Sequence, residues 1–173
     1  MRLFLPILAS CLIACGSAIK AGPQTGKRVV GLVEVHKRYC GGARPSPEQE
    51  RGTFKPMPAA TFFVVEGEIN PASKSAVARF TTNEEGNFEV HLPVGTYSVM
   101  HIDKQLPYQT FRQKNAATGQ HHQDKEEACF EAWYNSADFV LTVRQDTNVV
   151  LTYRSRCHTG TNPCIRYDGP IPP

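Results

Sequence analysis

The clearest hydrophobic pattern in this chain lies at positions 80–99, which read FTTNEEGNFEVHLPVGTYSV. In the middle of this segment apolar and polar residues alternate, in the order Phe88, Glu89, Val90, His91, Leu92. A period of two is typical of a strand that buries one face. The segment therefore predicts a half-buried β-strand at positions 88–92.

Turn-forming residues bound this strand on both sides. Before it, NEEGN at positions 83–87 contains Gly86, which can adopt a positive φ angle without steric cost. After it, PVG at positions 93–95 ends the strand, and a second β pattern starts at Thr96 and extends to Asp103. We therefore expect two β-strands joined by tight turns.

Other short apolar runs predict five further strands, at residues 27–36, 61–65, 76–82, 137–144 and 148–154. The last two are separated by Gln145-Asp146-Thr147, a loop length that suits a hairpin. The sequence contains no long amphipathic helix pattern. Seven short strands with turns between them predict an all-β protein, a single antiparallel β-sandwich with long loops.

The segments between and after these strands predict loops. Positions 41–58 contain four prolines and three glycines, which exclude a central strand or a long helix. Positions 105–125 are polar and aperiodic, so we expect an exposed excursion. Residues 155–173 should form an irregular tail that is either docked by its cysteines or loose. Positions 125–133, KEEACFEAW, fit either a short helix or a bent edge strand.

The N-terminus resembles the signal peptide of bacterial lipoproteins. A short positive start precedes an apolar run too short to span a bilayer, and Leu12-Ile13-Ala14-Cys15 matches a lipobox. We expect residues 1–14 to be removed and Cys15 to be acylated. The alternative is an ordinary secretory signal with an incidental cysteine. Lipidation at Cys11 is disfavoured, because it would leave only ten residues of signal.

The expected mature chain starts with a lipidated tether, residues 15–26, followed by a β-sandwich domain at residues 27–173. Gly16 and Ser17 follow the cysteine, so the aspartate that retains many lipoproteins in the inner membrane of Gram-negative bacteria does not occur here. The predicted location is therefore the bacterial cell envelope, with a lipid anchor in the outer membrane. Several acyl chains anchor a protein stably, whereas one binds only marginally.

The expected mature domain contains four cysteines: Cys40, Cys129, Cys157 and Cys164. An even number of cysteines in an exported domain favours disulfides, and four cysteines allow three pairings. We favour Cys157–Cys164, which would close the HTGTNP loop, together with Cys40–Cys129, which would join two long loops.

Charge and length exclude several classes of protein. The formal net charge is +3, and the basic residues are scattered along the chain. Neither nucleic-acid binding nor a polybasic membrane patch is indicated. After the signal, the chain is long enough for one domain with a sizeable core but short for two.

The segment at 80–99 resembles the carboxypeptidase regulatory-like, transthyretin-like (prealbumin-like) sandwich and its collagen-adhesin B-type relatives. The signature of those families is carried here by Thr82, Gly86, Phe88, Leu92, Pro93, Gly95, Tyr97 and Val99. The resemblance covers residues 29–103, whereas the insertion at 41–58 and the C-terminal half depart from it. It implies a prealbumin-like or Ig-like sandwich without implying an activity, because such folds carry many functions.

Histidine and cysteine side chains could instead form a metal-binding or hydrolytic transthyretin-like site. The candidate side chains are His121, His122, Cys157, His158 and Cys164, which are suitable ligand types for zinc or copper. Cys-x6-Cys is not a zinc-finger spacing, however, and export favours oxidised thiols. This alternative requires the three histidines to converge at ligand distance beside a free thiol or a carboxylate.

Trp133 and Tyr134 could form an aromatic platform for a sugar or a peptide, since both residue types are frequent in recognition hot spots. We favour the alternative in which Phe130 and Trp133, three residues apart, pack against the sandwich core beside Cys129.

These observations favour a non-enzymatic binding or structural accessory module without catalytic residues, a metal or a cofactor. Recognition usually occurs on long loops held by a rigid sheet. The expected ligand contacts are Arg44, His121, His122, Trp133 and Tyr134. Besides the membrane, the expected partner is an envelope protein, a peptide or a glycan, and no nucleic acid.

Overall fold

The computed structural model describes residues 26–68 and 75–170. The predicted signal peptide, the lipidation site at Cys15 and most of the tether lie outside the described residues. Among the residues that are described, no helix is both long enough and apolar enough to cross a membrane.

The described segments form the following strands: β1 (Lys27–Lys37), β2 (Thr53–Pro56), β3 (Thr61–Glu66), β4 (Ala78–Thr81), β5 (Asn87–Leu92), β6 (Gly95–His101), β7 (His122–Asp124), β8 (Phe139–Val143), β9 (Thr147–Ser155) and β10 (Ile165–Tyr167). The helices are α1 (Pro47–Arg51), α2 (Tyr108–Lys114) and α3 (Glu127–Asn135), and a 3-10 helix spans Ile102–Gln105. All seven predicted strands are present, and the all-β sandwich is confirmed. The short strands β2, β7 and β10 were not predicted.

Strand β1 is the centre of the first sheet. On one side its first half pairs antiparallel with β5 and its second half with β2. On the other side β9 runs parallel to it from Val29 to Lys37. The second sheet has the order β4-β3-β6-β8 and is antiparallel throughout the described strands. The prediction of a wholly antiparallel sandwich was therefore wrong at the β1–β9 pair.

Strands β8 and β9 do not form the predicted hairpin. β8 pairs with β6 in the second sheet, whereas β9 pairs with β1 in the first. The connection crosses between the sheets, and the Asp146 carboxylate on it accepts a hydrogen bond from the Arg28 backbone N–H at 3.0 Å. The alternating pattern identified both strands correctly, but such a pattern shows which face is buried and not which strand is the partner.

The hydrophobic core lies between the two sheets. The alternation predicted for β5 is observed, because Phe88, Val90 and Leu92 are buried while Glu89 is exposed. Both sheets contribute the remaining large core residues: Val29, Val33, Phe62, Val64, Phe80, Tyr97, Val99, Leu141, Val143 and Leu151. Removing this apolar surface from water is the main favourable contribution to folding.

The signature residues around β5 and β6 have structural roles. Gly86 adopts a φ of 79°, as its place in the turn predicts. The Tyr97 hydroxyl donates to the Pro93 carbonyl at 2.9 Å, across the turn between the two strands. The buried Thr82 hydroxyl donates to the Met57 carbonyl at 2.6 Å and accepts from the Ala60 N–H at 2.9 Å. The motif therefore fixes backbone geometry at the edge of the core.

Residues 102–136 form a substructure that we term the cap, which contains the 3-10 helix, α2, β7 and α3. Apart from Phe111, residues 105–125 are exposed or half-buried, as expected, but they contain α2 and β7. The short-helix alternative for residues 125–133 is correct. Phe111 on α2 and Phe130 on α3 are fully buried. Each helix has only this one fully buried residue, so neither produces a hydrophobic period that the sequence could reveal.

The C-terminal tail is docked, because β10 pairs antiparallel with β7 from Ile165 to Tyr167. Cys164, immediately before it, is fully buried. The alternative of a tail docked by its cysteines is therefore correct, whereas the expected irregular structure was wrong for the three residues of β10.

The described residues contain two disulfides, Cys40–Cys157 and Cys129–Cys164, with Cα separations of 5.4 and 5.7 Å. The expectation that all four cysteines are cross-linked is confirmed, but the favoured pairing was wrong. Because β9 is parallel to β1, the chain leaves both strands at the same end of the sheet, which brings Cys40 to Cys157. Cys129 on α3 is then bonded to Cys164 in the docked tail.

Candidate functional site

The five predicted contact residues lie in separate parts of the structure. Arg44 is exposed in the loop between β1 and α1. Trp133 and Tyr134 are half-buried on α3, and His121 and His122 are half-buried at the start of β7. The contacts described below place the α3 pair and the histidine pair in different clusters, so the structure does not gather the five residues into one site.

Trp133 and Tyr134 pack against α2. Both rings contact Phe111, with centroid separations of 5.0 and 5.1 Å. The Tyr134 hydroxyl also donates to the Leu106 carbonyl at 2.8 Å. Phe130 is fully buried, but it lies in the cap under the Arg112 guanidinium, at 3.8 Å, and not in the core between the two sheets. These aromatic residues stabilise the cap, and a ligand contact at Trp133 or Tyr134 stays a prediction.

A cavity of about 150 Å³ lies between the cap and the sandwich. Its walls include Met57, His101, Phe111, Trp133 and Tyr153. Trp133 is thus half-buried because one part of its ring packs on α2 while another part borders this cavity.

A buried ion pair forms part of the cavity wall. The Lys104 and Asp138 side chains are 2% and 6% exposed, and Lys104 Nζ lies 2.8 Å from Asp138 Oδ1. Nζ also donates to the Ser136 carbonyl at 3.0 Å and lies 5.7 Å from the centroid of the Trp133 ring. The other carboxylate oxygen of Asp138 accepts the His101 backbone N–H at 2.7 Å. Both charges are therefore compensated within the fold.

Burial changes the pKa values of this network. Burial lowers the pKa of Lys104 below its ordinary value, although the Asp138 carboxylate opposes the change. Burial raises the pKa of Tyr153, because it disfavours the charged form of this group too. The negative charge of Asp138 and a hydrogen bond to Asp138 raise the pKa of Tyr153 further. The network connects the 3-10 helix, the segment before β8, and β9. Since its charges satisfy one another, we assign it a structural role.

A wider cavity of about 650 Å³ lies where the chain beyond β1 and β9 meets the docked tail. We term it the basic cleft. The side chains that matter for its chemistry are Tyr39, Lys125, Arg156, His158, Arg166 and Tyr167. Pockets of several hundred Å³ that combine rings with a few polar groups are typical ligand sites.

The fold fixes each wall of the basic cleft. The Cys40–Cys157 disulfide joins the segment after β1 to the segment after β9. The Arg156 N–H donates to the Gly160 carbonyl at 2.7 Å and closes a turn in which His158 has a φ of 65°. The Lys125 N–H donates to the Cys164 carbonyl at 2.9 Å, which attaches the cap to the tail. One disulfide and two backbone hydrogen bonds therefore hold the walls of the cleft in place.

The basic side chains of the cleft have no carboxylate partner within the described ranges. Lys125 Nζ and Arg156 Nη1 both donate to the Pro163 carbonyl, at 2.9 and 3.1 Å. Arg166 donates to the Gln123 side-chain carbonyl. None of the three takes part in an ion pair between described residues. The cleft also contains Asp168, which leaves it net positive.

Three histidines surround the Tyr167 ring beside the cleft. His158 stacks on it at 4.4 Å, and the rings of His122 and His121 lie 5.2 and 6.1 Å away. His122 Nε2–H donates to the His158 carbonyl at 2.8 Å, while its Nδ1 is buried without a hydrogen-bond partner among the described residues. The histidines therefore converge on an aromatic ring.

The metal-binding alternative required ligand geometry and a free thiol or a carboxylate beside the histidines. Each of the four cysteines is in a disulfide. Within the described part of the chain, no group of three or more His, Cys, Asp or Glu side chains is arranged to hold a metal ion.

Apart from His158, the sequence did not single out the side chains that define the basic cleft, and it did not indicate the Lys104–Asp138 pair. Tyr39 and Arg156 each immediately precede a cysteine of the same disulfide. The correct pairing would have placed them together, and this was the available signal. Nothing in the sequence indicates that Lys104 is buried, since a lysine in a polar segment is normally exposed.

Neither a protein-family profile nor a curated protein matches this chain. One similar solved structure is a DUF3823 family protein from Parabacteroides merdae, with 14% identity over 73% of this chain and 44% of that chain, and a TM-score of 0.35. Another is the shaft pilin SpaA from Lactobacillus rhamnosus GG, with 15% identity over 75% of this chain and 48% of that chain, and a TM-score of 0.37. The N-terminal domain of that pilin has 15% identity over 84% of this chain and its own full length, with a TM-score of 0.35.

This chain spans less than half of the length of the first two of these structures. Similarity at these identities and TM-scores supports no inference about function. The function of the chain has to be argued from its own residues.

Proposed function

We propose that this protein is a lipid-anchored, non-enzymatic binding module of a bacterial envelope that holds its ligand in the basic cleft. The observation that carries the proposal is the cleft itself, a cavity of about 650 Å³ cross-linked by Cys40–Cys157. A rigid wall lowers the entropy lost when a ligand binds. Tyrosine and arginine, which dominate binding hot spots, line this wall at Tyr39, Tyr167, Arg156 and Arg166.

The position of the cleft along the chain agrees with an anchored binder. The lipobox ending at Cys15 supports acylation close to the start of β1. Strand β1 begins at Lys27, and the cleft follows its other end at Lys37. Eleven residues of strand span about 33 Å, so the cleft lies at the end of β1 that is distant from the tether. A ligand approaching from beyond the membrane surface would meet this end of the domain.

Anchoring is tested with the full chain and its Cys15→Ser variant, both exported in a Gram-negative host. We expect the unchanged chain in the membrane fraction with the mass of an acylated N-terminal cysteine. Cys15→Ser should remain unacylated, because the thiol is absent. Equal membrane retention of both proteins, or an unmodified Cys15 in the mature chain, would contradict the lipid anchor.

Binding in the cleft is tested by applying the disulfide-intact chain to immobilised oligosaccharides and peptides. Tyr39→Ala and Tyr167→Ala should each weaken binding about tenfold or more, the effect of losing roughly 1.4 kcal/mol of contact energy. The matched control is Phe54→Ala, which removes an aromatic ring that is 58% exposed outside the cleft. Failure to bind any member of the panel, or equal losses in Phe54→Ala, would contradict a ligand site in the cleft.

A further inference from the structure

We infer that the basic cleft contains an oxyanion subsite between Lys125 and Arg156, and that its ligand is an oligosaccharide bearing carboxylate or phosphate groups. The inference rests on the proposed binding function and names the chemical class of the ligand. It concerns side chains that the sequence did not single out.

Two cationic side chains meet at one carbonyl oxygen. Lys125 Nζ and Arg156 Nη1 both lie about 3 Å from the Pro163 carbonyl oxygen, so they are within about 6 Å of each other. Like charges at this distance repel. The fold brings them together without a carboxylate of the described residues between them. An external anion would remove this repulsion.

The two side chains have more N–H donors than the Pro163 carbonyl can accept. A lysine ammonium has three N–H donors and a guanidinium has five. Lys125 and Arg156 are each seen to donate to one carbonyl oxygen at this point. Their other N–H groups can bind the several oxygens of a carboxylate or phosphate, and such charge-assisted hydrogen bonds are stronger than those to a neutral carbonyl.

The surrounding charges favour an anion in the same place. Arg166 adds a third cation to the cleft wall. Asp168 is the carboxylate of the wall, and its Oδ2 accepts a hydrogen bond from the Gln123 amide. A concave surface with one predominant sign of charge concentrates ligands of the opposite sign.

The rings favour a sugar over an acidic peptide. The cleft is lined by three rings, those of His158 and Tyr167, which stack on each other at 4.4 Å, and that of Tyr39. A flat ring surface suits the apolar face of a sugar, whose hydroxyl groups can meet the polar groups around it. Peptides often bind by adding a strand to a free sheet edge. The strand in the cleft wall, β10, has three residues, which is too short an edge for this mode.

The experiment is calorimetric titration of the full, disulfide-intact chain at low ionic strength. The probes are a uronic-acid disaccharide, a sugar phosphate, the corresponding neutral disaccharide, inorganic phosphate and a glutamate-rich peptide. We expect at least one charged sugar to bind about tenfold or more tightly than the neutral one. Comparison of the first two probes distinguishes a carboxylate from a phosphate ligand. Raising the salt concentration should weaken the binding.

Lys125→Gln and Arg156→Gln should each weaken charged-sugar binding about tenfold or more. The matched control is the double variant Lys55→Gln/Arg144→Gln, which removes two exposed positive charges outside the cleft. Arg156→Lys retains the charge and should retain part of the affinity. The melting temperature of each variant shows whether the loss arises from unfolding, since both side chains also bond the Pro163 carbonyl.

Equal affinity for the neutral and charged sugars, or equal losses in the control variant, would overturn the oxyanion subsite. Tighter binding of the glutamate-rich peptide, or binding of inorganic phosphate alone, would overturn the saccharide assignment. No binding of any charged probe would also overturn the inference. The proposed function fails separately, in the panel experiment, if Tyr39→Ala and Tyr167→Ala leave all binding unchanged.

Discussion

At the scale of single residues, Lys104 and Asp138 form the most deeply buried ion pair among the described residues. They are 2% and 6% exposed and lie 2.8 Å apart. Transfer of each ion out of water costs several kcal/mol, and the attraction between the two ions offsets this cost only when both are present. Loss of one partner should therefore harm the fold more than loss of both.

We predict that Lys104→Met destabilises the protein by about 3–5 kcal/mol, because Asp138 would remain buried without its counterion. Asp138→Asn should have a similar effect, whereas the double variant Lys104→Met/Asp138→Asn should recover a large part of the loss. The measurement is the free energy of unfolding of all four proteins in denaturant. Additive losses in the double variant would show that the pair is not coupled.

The same variants allow a test of pH dependence. Burial lowers the pKa of Lys104 from 10.5, so between its folded pKa and 10.5 the unfolded chain binds more protons than the folded chain. The free energy of unfolding contributed by Lys104 must therefore rise with pH in this interval. We expect that rise in the difference between the unchanged protein and Lys104→Met, and a pH-independent difference would argue against it.

Gly86 is a turn residue at which a side chain would be both strained and in collision with the backbone. Its φ is 79°, and a Cβ atom there would lie 2.7 Å from the Val33 carbonyl oxygen. We predict that Gly86→Ala reduces the free energy of unfolding by about 2–3 kcal/mol, combining backbone strain with this clash. The control is Gly160→Ala, where φ is 64° but the added Cβ meets no atom within 4 Å. Gly160→Ala should reduce the free energy of unfolding by only about 1–2 kcal/mol. Equal losses in the two variants would show that the backbone around Gly86 moves to remove the clash.

At the scale of elements, the disulfides hold the outer segments to the sandwich. Non-reducing tryptic digestion should yield one assembly of three linked peptides, at residues 39–51, 126–144 and 157–166. The alternative Cys157–Cys164 would instead release residues 157–166 as a separate peptide with an internal bond. The third pairing, Cys40–Cys164 with Cys129–Cys157, would link the same three peptides. The variant Cys40→Ala/Cys157→Ala distinguishes it, because this variant should retain the Cys129–Cys164 disulfide intact. Mass spectrometry reads all three outcomes.

Removal of either disulfide should destabilise the fold through the entropy of the unfolded chain. The separations are 117 residues for Cys40–Cys157 and 35 for Cys129–Cys164. A loop-entropy calculation gives about 4.9 and about 3.8 kcal/mol for these lengths. We therefore expect Cys40→Ala/Cys157→Ala to lower the melting temperature more than Cys129→Ala/Cys164→Ala. The reverse order would show that docking of the tail matters more than loop length.

The cap is held together by Arg112. Its guanidinium lies 2.7 Å from Asp124 and 3.1 Å from Glu127, and it covers the Phe130 ring. Burial alone would raise the pKa of Asp124, but hydrogen bonds from Arg112 and the Ala117 N–H lower it below 3.8. The contribution of Asp124 to the free energy of unfolding is thus fully present above pH 3.8, the pKa in the unfolded chain. It is lost as the pH falls through the lower pKa of the folded state.

We predict that Asp124→Asn lowers the neutral-pH stability by less than about 1 kcal/mol, because the pair is partly solvated. The difference from the unchanged protein should shrink as the pH falls below 3.8. Denaturant unfolding between pH 2 and 7 measures it, with the exposed turn residue Glu84→Gln as control. A difference in stability that is as large at pH 2 as at pH 7 would show that it does not arise from the ionised Asp124 carboxylate.

At the scale of the whole molecule, stability should be distributed from the sandwich outward. Strand β1 pairs on both sides, and β3 and β6 are the inner strands of the second sheet. The β7–β10 pair stands outside both sheets. We predict that the slowest amide hydrogen exchange occurs in β1, β3 and β6, and that β10 exchanges at least about 100-fold faster, since peripheral elements open with smaller free energies. Uniform protection would indicate that cap, tail and sandwich open as one unit.

The sequence by itself located seven of the ten described strands and identified the buried face of β5. Alternation in β5, the turn at Gly86 and the closing contact at Tyr97 all depend on residues within a few positions of one another. Such interactions between residues close in sequence are sufficient to predict an all-β sandwich. The even number of cysteines was likewise sufficient to predict that the domain is cross-linked.

Only the tertiary structure decided which strands pair and what their ends bring together. The parallel pairing of β1 with β9 joins residues 118 positions apart, as Val29 with Thr147 shows, and no local pattern records such a partner. That pairing brings Cys40 to Cys157, and with them Tyr39 to Arg156. The Lys104–Asp138 pair and the meeting of Lys125 with Arg156 likewise depend on contacts between distant segments. Period and turn chemistry are properties of neighbouring residues, whereas a binding cleft is a property of the packed whole.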